Sequence, residues 1–198
     1  MPDRSAIAGT GGDSHPRGPI CTDPTTPLTV NCYVRGDVNA ASHHQILSIQ
    51  QRLEALAATP LVDELRTRQW PPQSHAGADL SLPATRDRLV RRFERWAGER
   101  GYTLSPAVSR QQTPQSLVDT ARSGQTIRVP LVLLAFEPAT SDTATLEGVV
   151  PYTVPSESGG AMTYTVADWL TAAENVVDGV PDQSGRRDSD HSQSVYSA

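Results

Sequence analysis

Leu131-Val132-Leu133-Leu134-Ala135-Phe136 is a continuous apolar run set between Pro130 and Glu137. Strict alternation marks a strand with one wet face, whereas an unbroken run marks a strand covered on both sides or central in its sheet. The rest of the chain supplies candidate neighbours for it. Leu28, Val30, Cys32 and Val34 alternate with Thr29, Asn31, Tyr33 and Arg35, and Gly36-Asp37 follows. That period of two predicts a strand with one buried face. Residues 144–152 predict an antiparallel neighbour, broken by Gly148 and closed by Pro151. Residues 61–70 predict another strand, stopped by Trp70-Pro71-Pro72, and residues 102–112 an extended stretch led by Tyr102 and Leu104.

Three helices complete the set. Over residues 42–58, Ser42 and Gln45 have capping-box spacing, and Ile46, Ile49, Leu53 and Leu56 fall on one stripe. A second helix spans residues 85–100, with Leu89, Val90, Phe93, Trp96 and Ala97 as its apolar arc and Gly101 at its C-terminal end. A third starts at Tyr164-Thr165, where Thr165 and Asp168 give the start signal. Val166, Trp169, Leu170, Ala173 and Val177 then share a face. The order predicts an α/β (α+β) two-layer sandwich, a mixed or antiparallel sheet with helices on one face, related to the ferredoxin-like arrangement. One domain over 27–178 fits a chain of 198 residues. Residues 1–26 and 179–198, rich in Gly, Ser, Asp and Pro, read as tails that bury too little to offset their ordering entropy.

Chemical motifs are scarce. Gly9-Thr10-Gly11-Gly12 lacks the Lys-Ser/Thr of a phosphate loop, no Gly-x-Ser-x-Gly elbow occurs, and no carboxylate pair is tied to a histidine. The expectation is a non-enzymatic protein without a cofactor. Cys21, Cys32, His43 and His44 could be imagined around a metal, but the cysteines stand 11 apart, against the two-to-four spacing of zinc ligands. Cys32 reads instead as a buried thiol in a reducing cytoplasm. No apolar run could span a bilayer.

Charge is more informative. All 17 basic residues are arginine, and the formal net charge is −5, a combination that suggests a GC-rich, salt-adapted microbe. Residues 84–101 hold six arginines against Asp87, Glu94 and Glu99, while the rest of 27–178 is acidic. At about 100° per residue, Arg88, Arg91, Arg92 and Arg95 project within one arc opposite the apolar stripe. Such an arc suits an anionic partner, either an acidic protein or the phosphates of DNA. The plainer alternative is a solvated face laced by Asp87–Arg91 and Arg95–Glu99 pairs. A helix-turn-helix would need a second helix, and residues 114–123 offer one, capped by Thr113, started by Pro114 and ended by Gly124. With it, the strands near 126–137 and 144–152 would resemble a wing. The connection 101–113 far exceeds the turn of about 3–4 residues in that motif.

Four blocks carry a family resemblance: Asn31-Cys32-Tyr33-Val34-Arg35, Arg92-Phe93-Glu94-Arg95-Trp96-Ala97, Glu147-Gly148-Val149-Val150-Pro151-Tyr152 and Tyr164-Thr165-Val166-Ala167-Asp168-Trp169-Leu170. The chain resembles a small family from salt-loving archaea whose members are labelled helix-turn-helix-domain proteins. That resemblance implies a cytoplasmic regulatory protein and carries no catalytic or cofactor residue. The combined expectation is a regulatory or interaction domain facing an acidic partner through Arg88, Arg91, Arg92 and Arg95. DNA binding is the alternative and a small-molecule sensor or enzyme a weaker one, with homodimerisation left open.

Overall fold

In the computed structural model, residues 27–72, 85–112, 125–139, 145–156 and 160–179 are described. In chain order they form β1 (Leu28–Val34), α1 (Ala40–Ala57), β2 (Val62–Gln69), α2 (Arg86–Glu99), β3 (Ser109–Gln112) and β4 (Gln125–Arg128). There follow β5 (Val132–Pro138), β6 (Gly148–Val150), β7 (Tyr152–Pro155), β8 (Ala161–Tyr164) and α3 (Val166–Gly179). The main sheet has the order β2-β1-β5-β6, with β1 parallel to β2 and antiparallel to β5, and β5 antiparallel to β6. Two antiparallel ribbons, β3–β4 and β7–β8, stand outside it. The expected tail 1–26 and short helix 114–123 lie outside the described residues, as does the expected tail 179–198 apart from Gly179.

Register fixes the faces. Val30 lies opposite Phe136 and Cys32 opposite Leu134, so these four side chains share one face. Asn31 lies opposite Ala135 and Tyr33 opposite Leu133 on the other. The first face is covered by α1 and α3: the Phe136 and Trp169 rings stack with centroids 4.7 Å apart, and Ile46, Leu53 and Leu56 of α1 are buried. Arg52 of α1 donates to both carboxylate oxygens of Glu174 on α3, each at 2.7 Å. The second face is covered by α2, whose Phe93 meets the edge of Tyr33 at 5.7 Å and packs against Trp70 at 6.3 Å.

The α+β sandwich with a mixed sheet therefore stands, with one difference in layering. α1 and α3 share a face as expected, and α2 crosses to the opposite one. The reason is β5 itself, whose Leu133, Leu134, Ala135 and Phe136 are all buried. Full burial of one large apolar side chain is worth roughly 1.5–3 kcal/mol, so neither face of such a strand can be left wet. The ferredoxin-like comparison also changes: β1 and β2 are hydrogen-bonded neighbours, whereas the split βαβ leaves room for a strand between them.

Local sequence signals set the helix ends. The Thr165–Asp168 capping box forms, with Asp168 N–H donating to Thr165 Oγ1 and Thr165 N–H donating to Asp168 Oδ2. Gly101 takes φ +72° just beyond α2, a conformation glycine adopts without steric penalty. α1 starts earlier than expected because Asn39, three residues before Ser42, caps it by accepting from Ser42 N–H at 2.9 Å. α3 runs to Gly179, one residue into the stretch expected as tail. β7 and β8 pair as an antiparallel ribbon, and Tyr152 on it lies between the rings of Tyr102 and Tyr164, at centroid distances of 4.9 and 5.0 Å. His43 and His44 are exposed, at the end of the first turn of α1 and the start of its second. No described helix is long and apolar enough to cross a membrane.

Cys32 is fully buried, and desolvation pushes its thiol up to about 11 from 9.0. A raised folded value means that the unfolded chain releases this proton first, so the contribution is intact below pH 9 and lost as pH rises toward 11. Between those limits the wild type should lose on the order of 2 kcal/mol relative to Cys32→Ala, measured by urea denaturation at each pH. Parallel pH profiles for the two proteins would contradict this.

Candidate nucleic-acid interface

Helix α2 decides which arginines are available. Its inward arc is Leu89, Val90, Phe93, Trp96 and Ala97, all buried. Residues at the two borders of that arc reach neighbouring elements. On one border Arg92 Nη2 donates to Glu137 Oε1 on β5 at 2.7 Å, and Asn31 Nδ2 of β1 donates to Glu137 Oε2 at 3.1 Å. Glu137 is only 18% exposed, so the pair is partly shielded from water and salt. On the other border Glu94 accepts two bonds from Arg110 of β3, at 3.2 and 2.8 Å. Trp96 Nε1 donates to the Glu147 carbonyl at 3.1 Å, and the Arg100 guanidinium lies 5.1 Å from the Trp96 ring centroid.

Arg86 is also held within the fold. Its guanidinium donates to the carbonyls of Pro71 at 3.1 Å and Ile127 at 3.5 Å. Burial, with Arg35 nearby, holds Arg86 below the usual arginine value. Arg35 in turn donates to the Val129 carbonyl. Backbone carbonyls thus take the place of a carboxylate at the start of α2, where a cation beside the positive helix end is otherwise disfavoured.

Arg88, Arg91 and Arg95 remain. All three are exposed, and none makes an ion pair with a described residue. The expected Asp87–Arg91 and Arg95–Glu99 pairs are absent among the salt bridges of the described residues. Of the four arginines singled out from sequence, α2 therefore presents Arg88, Arg91 and Arg95 outward, and Arg92 is spent on anchoring the helix. Sequence reading missed Glu137 and Asn31, the anchor's other members. For Glu137 the signal was an acid ending an otherwise apolar strand, whereas Asn31 reads in the sequence as one more position on the polar side of an alternating strand.

As the apolar run 131–136 implies, β5 is a buried central strand of the main sheet and not an exposed wing. Among the described residues no helix follows another across a short turn, since α1 leads to β2 and α2 to β3. The second helix expected over 114–123 lies outside the described residues. No group of three His, Cys, Asp or Glu able to hold a metal occurs among the described residues.

Residues 22–178 match a protein family described as a helix-turn-helix domain. The chain belongs to that family. No curated protein and no solved structure matches it. Within this helix-turn-helix-domain protein the matched span takes in every described element up to Asp178.

The two classes of arginine should separate in stability measurements. Arg92→Gln leaves Glu137 without its guanidinium and should destabilise by about 1 kcal/mol in urea denaturation. Arg88→Gln, Arg91→Gln and Arg95→Gln should each stay within about 0.5 kcal/mol of wild type. Equal effects at all four positions would contradict the assignment.

Proposed function

We propose that this helix-turn-helix-domain protein is a non-enzymatic, cytoplasmic regulator that binds DNA, with Arg88, Arg91 and Arg95 of α2 gripping backbone phosphates. The observation that carries the reading is three exposed guanidiniums without partners among the described residues, on one side of one helix. Arginine's planar fork matches phosphate oxygens two at a time, and the charge stays fixed at any physiological pH. The family description supports the same partner. A net charge of −5 keeps the rest of the surface from coating nucleic acid, so contact concentrates on α2. Phosphate contacts of this kind set register and orientation and carry no base information.

A second reading, an acidic protein surface docking on the same guanidiniums, draws on a specific observation. The described element after α2 is a strand, so no recognition helix accompanies α2 among the described residues.

Anisotropy titrations of a labelled duplex against salt discriminate the two. Three phosphate contacts give a log–log slope near −2.7, so affinity should fall roughly 40-fold between 50 and 200 mM salt. Arg88→Gln/Arg91→Gln/Arg95→Gln, still folded, should flatten that slope toward zero. A duplex that is not retained at 50 mM salt, or a slope unchanged by the triple substitution, would overturn DNA binding through α2.

A further inference from the structure

β2 is the long edge of the main sheet: it pairs with β1 on one side, and no other described strand lies on its outer side. The opposite edge, β6, is three residues long and buried. Natural sheets blunt a long edge with proline, a bulge or charged side chains, and β2 carries Asp63, Glu64, Arg66 and Arg68, so pairing along it depends on how those charges match. β2 has no proline, and its irregularity sits at the very start, beside Leu28 and Thr29, which leaves Glu64–Gln69 regular. Trp70 N–H donates to the Val34 carbonyl at 2.9 Å. Amide direction alternates along a strand, so Leu65, Thr67 and Gln69 turn their N–H and C=O groups outward.

The charges along this edge are self-complementary. Glu64, Arg66 and Arg68 lie beside Thr29, Asn31 and Tyr33 of β1, and thus share the face that carries α2. Within one chain Arg66 already donates to both carboxylate oxygens of Glu64. Antiparallel pairing of two copies about an axis through Leu65 also sets Glu64 opposite the partner's Arg66, twice by symmetry, so the four charges close into one alternating network. Leu65 then meets its own copy as the hydrogen-bonded pair, and the two ion pairs fall at the neighbouring positions, where cross-strand side chains come closest. Centring on Arg66 sets Glu64 opposite Arg68 but also sets Arg66 against its own copy, and centring on Thr67 sets Arg66 against Arg68. Only the Leu65 register therefore has opposite charges directly paired with no like charges directly opposed.

We propose that a second copy of this chain pairs antiparallel along β2, centred on Leu65, to give a continuous eight-stranded sheet. The two-fold axis is perpendicular to the sheet and preserves its faces, so both α2 helices stand on the same side of the dimer. Two arginine surfaces related by a two-fold then face one way, the arrangement that a symmetric duplex requires. The dimer itself stands independently of the DNA reading and is tested without nucleic acid.

Sedimentation of the full chain from nanomolar to high micromolar concentration should show a reversible monomer–dimer equilibrium. Glu64→Arg and Arg66→Glu should each weaken the dimer about tenfold or more, because two attractive pairs become repulsive. The double swap Glu64→Arg/Arg66→Glu should return it to near the wild-type constant, whereas a net-charge effect would move the two single variants in opposite directions, since one adds two positive charges and the other removes two. Thr67→Pro removes one outward N–H at an edge position that tolerates proline, and should give a folded monomer by circular dichroism. A wild type that stays monomeric throughout, a double swap no better than the single changes, or a folded Thr67→Pro dimer as tight as wild type would each overturn the proposal.

Discussion

Strand β5 cannot tolerate water on either face, and the rest of the architecture follows from that. Leu134 and Phe136 turn toward α1 and α3, while Leu133 and Ala135 turn toward α2. Two layers of helix are therefore required for a sheet only four strands wide. α2 is the single described helix on its face, so its apolar arc is fully committed inward and its opposite side has nowhere to go except solvent. Outward arginines on α2 are thus a consequence of core packing. Their spacing then decides what they can hold.

Electrostatics sorts the arginines by position around α2 rather than by residue type. At the borders of the buried arc a guanidinium can reach the sheet, and Arg92 finds Glu137 there, itself held by Asn31. Near the start of the helix Arg86 reaches backbone carbonyls instead. Only the positions farthest from the core, Arg88, Arg91 and Arg95, lie beyond the reach of these partners. In a chain with no lysine every outward cation is a planar, weakly hydrated fork, which favours phosphate or carboxylate over bulk water more than an ammonium does.

The parts of this structure legible in the sequence are those set by local periodicity. The alternation over residues 28–34, the apolar run at 131–136, the three amphipathic helices and the Thr165–Asp168 box all report neighbours a few residues away. What periodicity does not carry is which side of the sheet each helix takes. An unbroken apolar strand gives no face signal, and the placement of α2 rests on a register joining β1 to β5 across more than a hundred residues, as the Asn31–Glu137 bond illustrates. β7 and β8 are four residues each, too short to display a period, so their ribbon was invisible before the tyrosine stack around Tyr152 was seen. The arginine arc was legible as a pattern. Its division into one anchor and three groups without ion-pair partners among the described residues was not, because the partner Glu137 is distant in sequence.

The central claim is that α2 divides its arginines between the fold and an external polyanion. Nuclear magnetic resonance of the arginine Nε–Hε groups during titration with duplex DNA tests it most directly. The account predicts that the resonances of Arg88, Arg91 and Arg95 shift and become protected from solvent exchange as duplex is added, while those of Arg86 and Arg92 hold their positions. A duplex that binds while Arg88, Arg91 and Arg95 remain unmoved would contradict it.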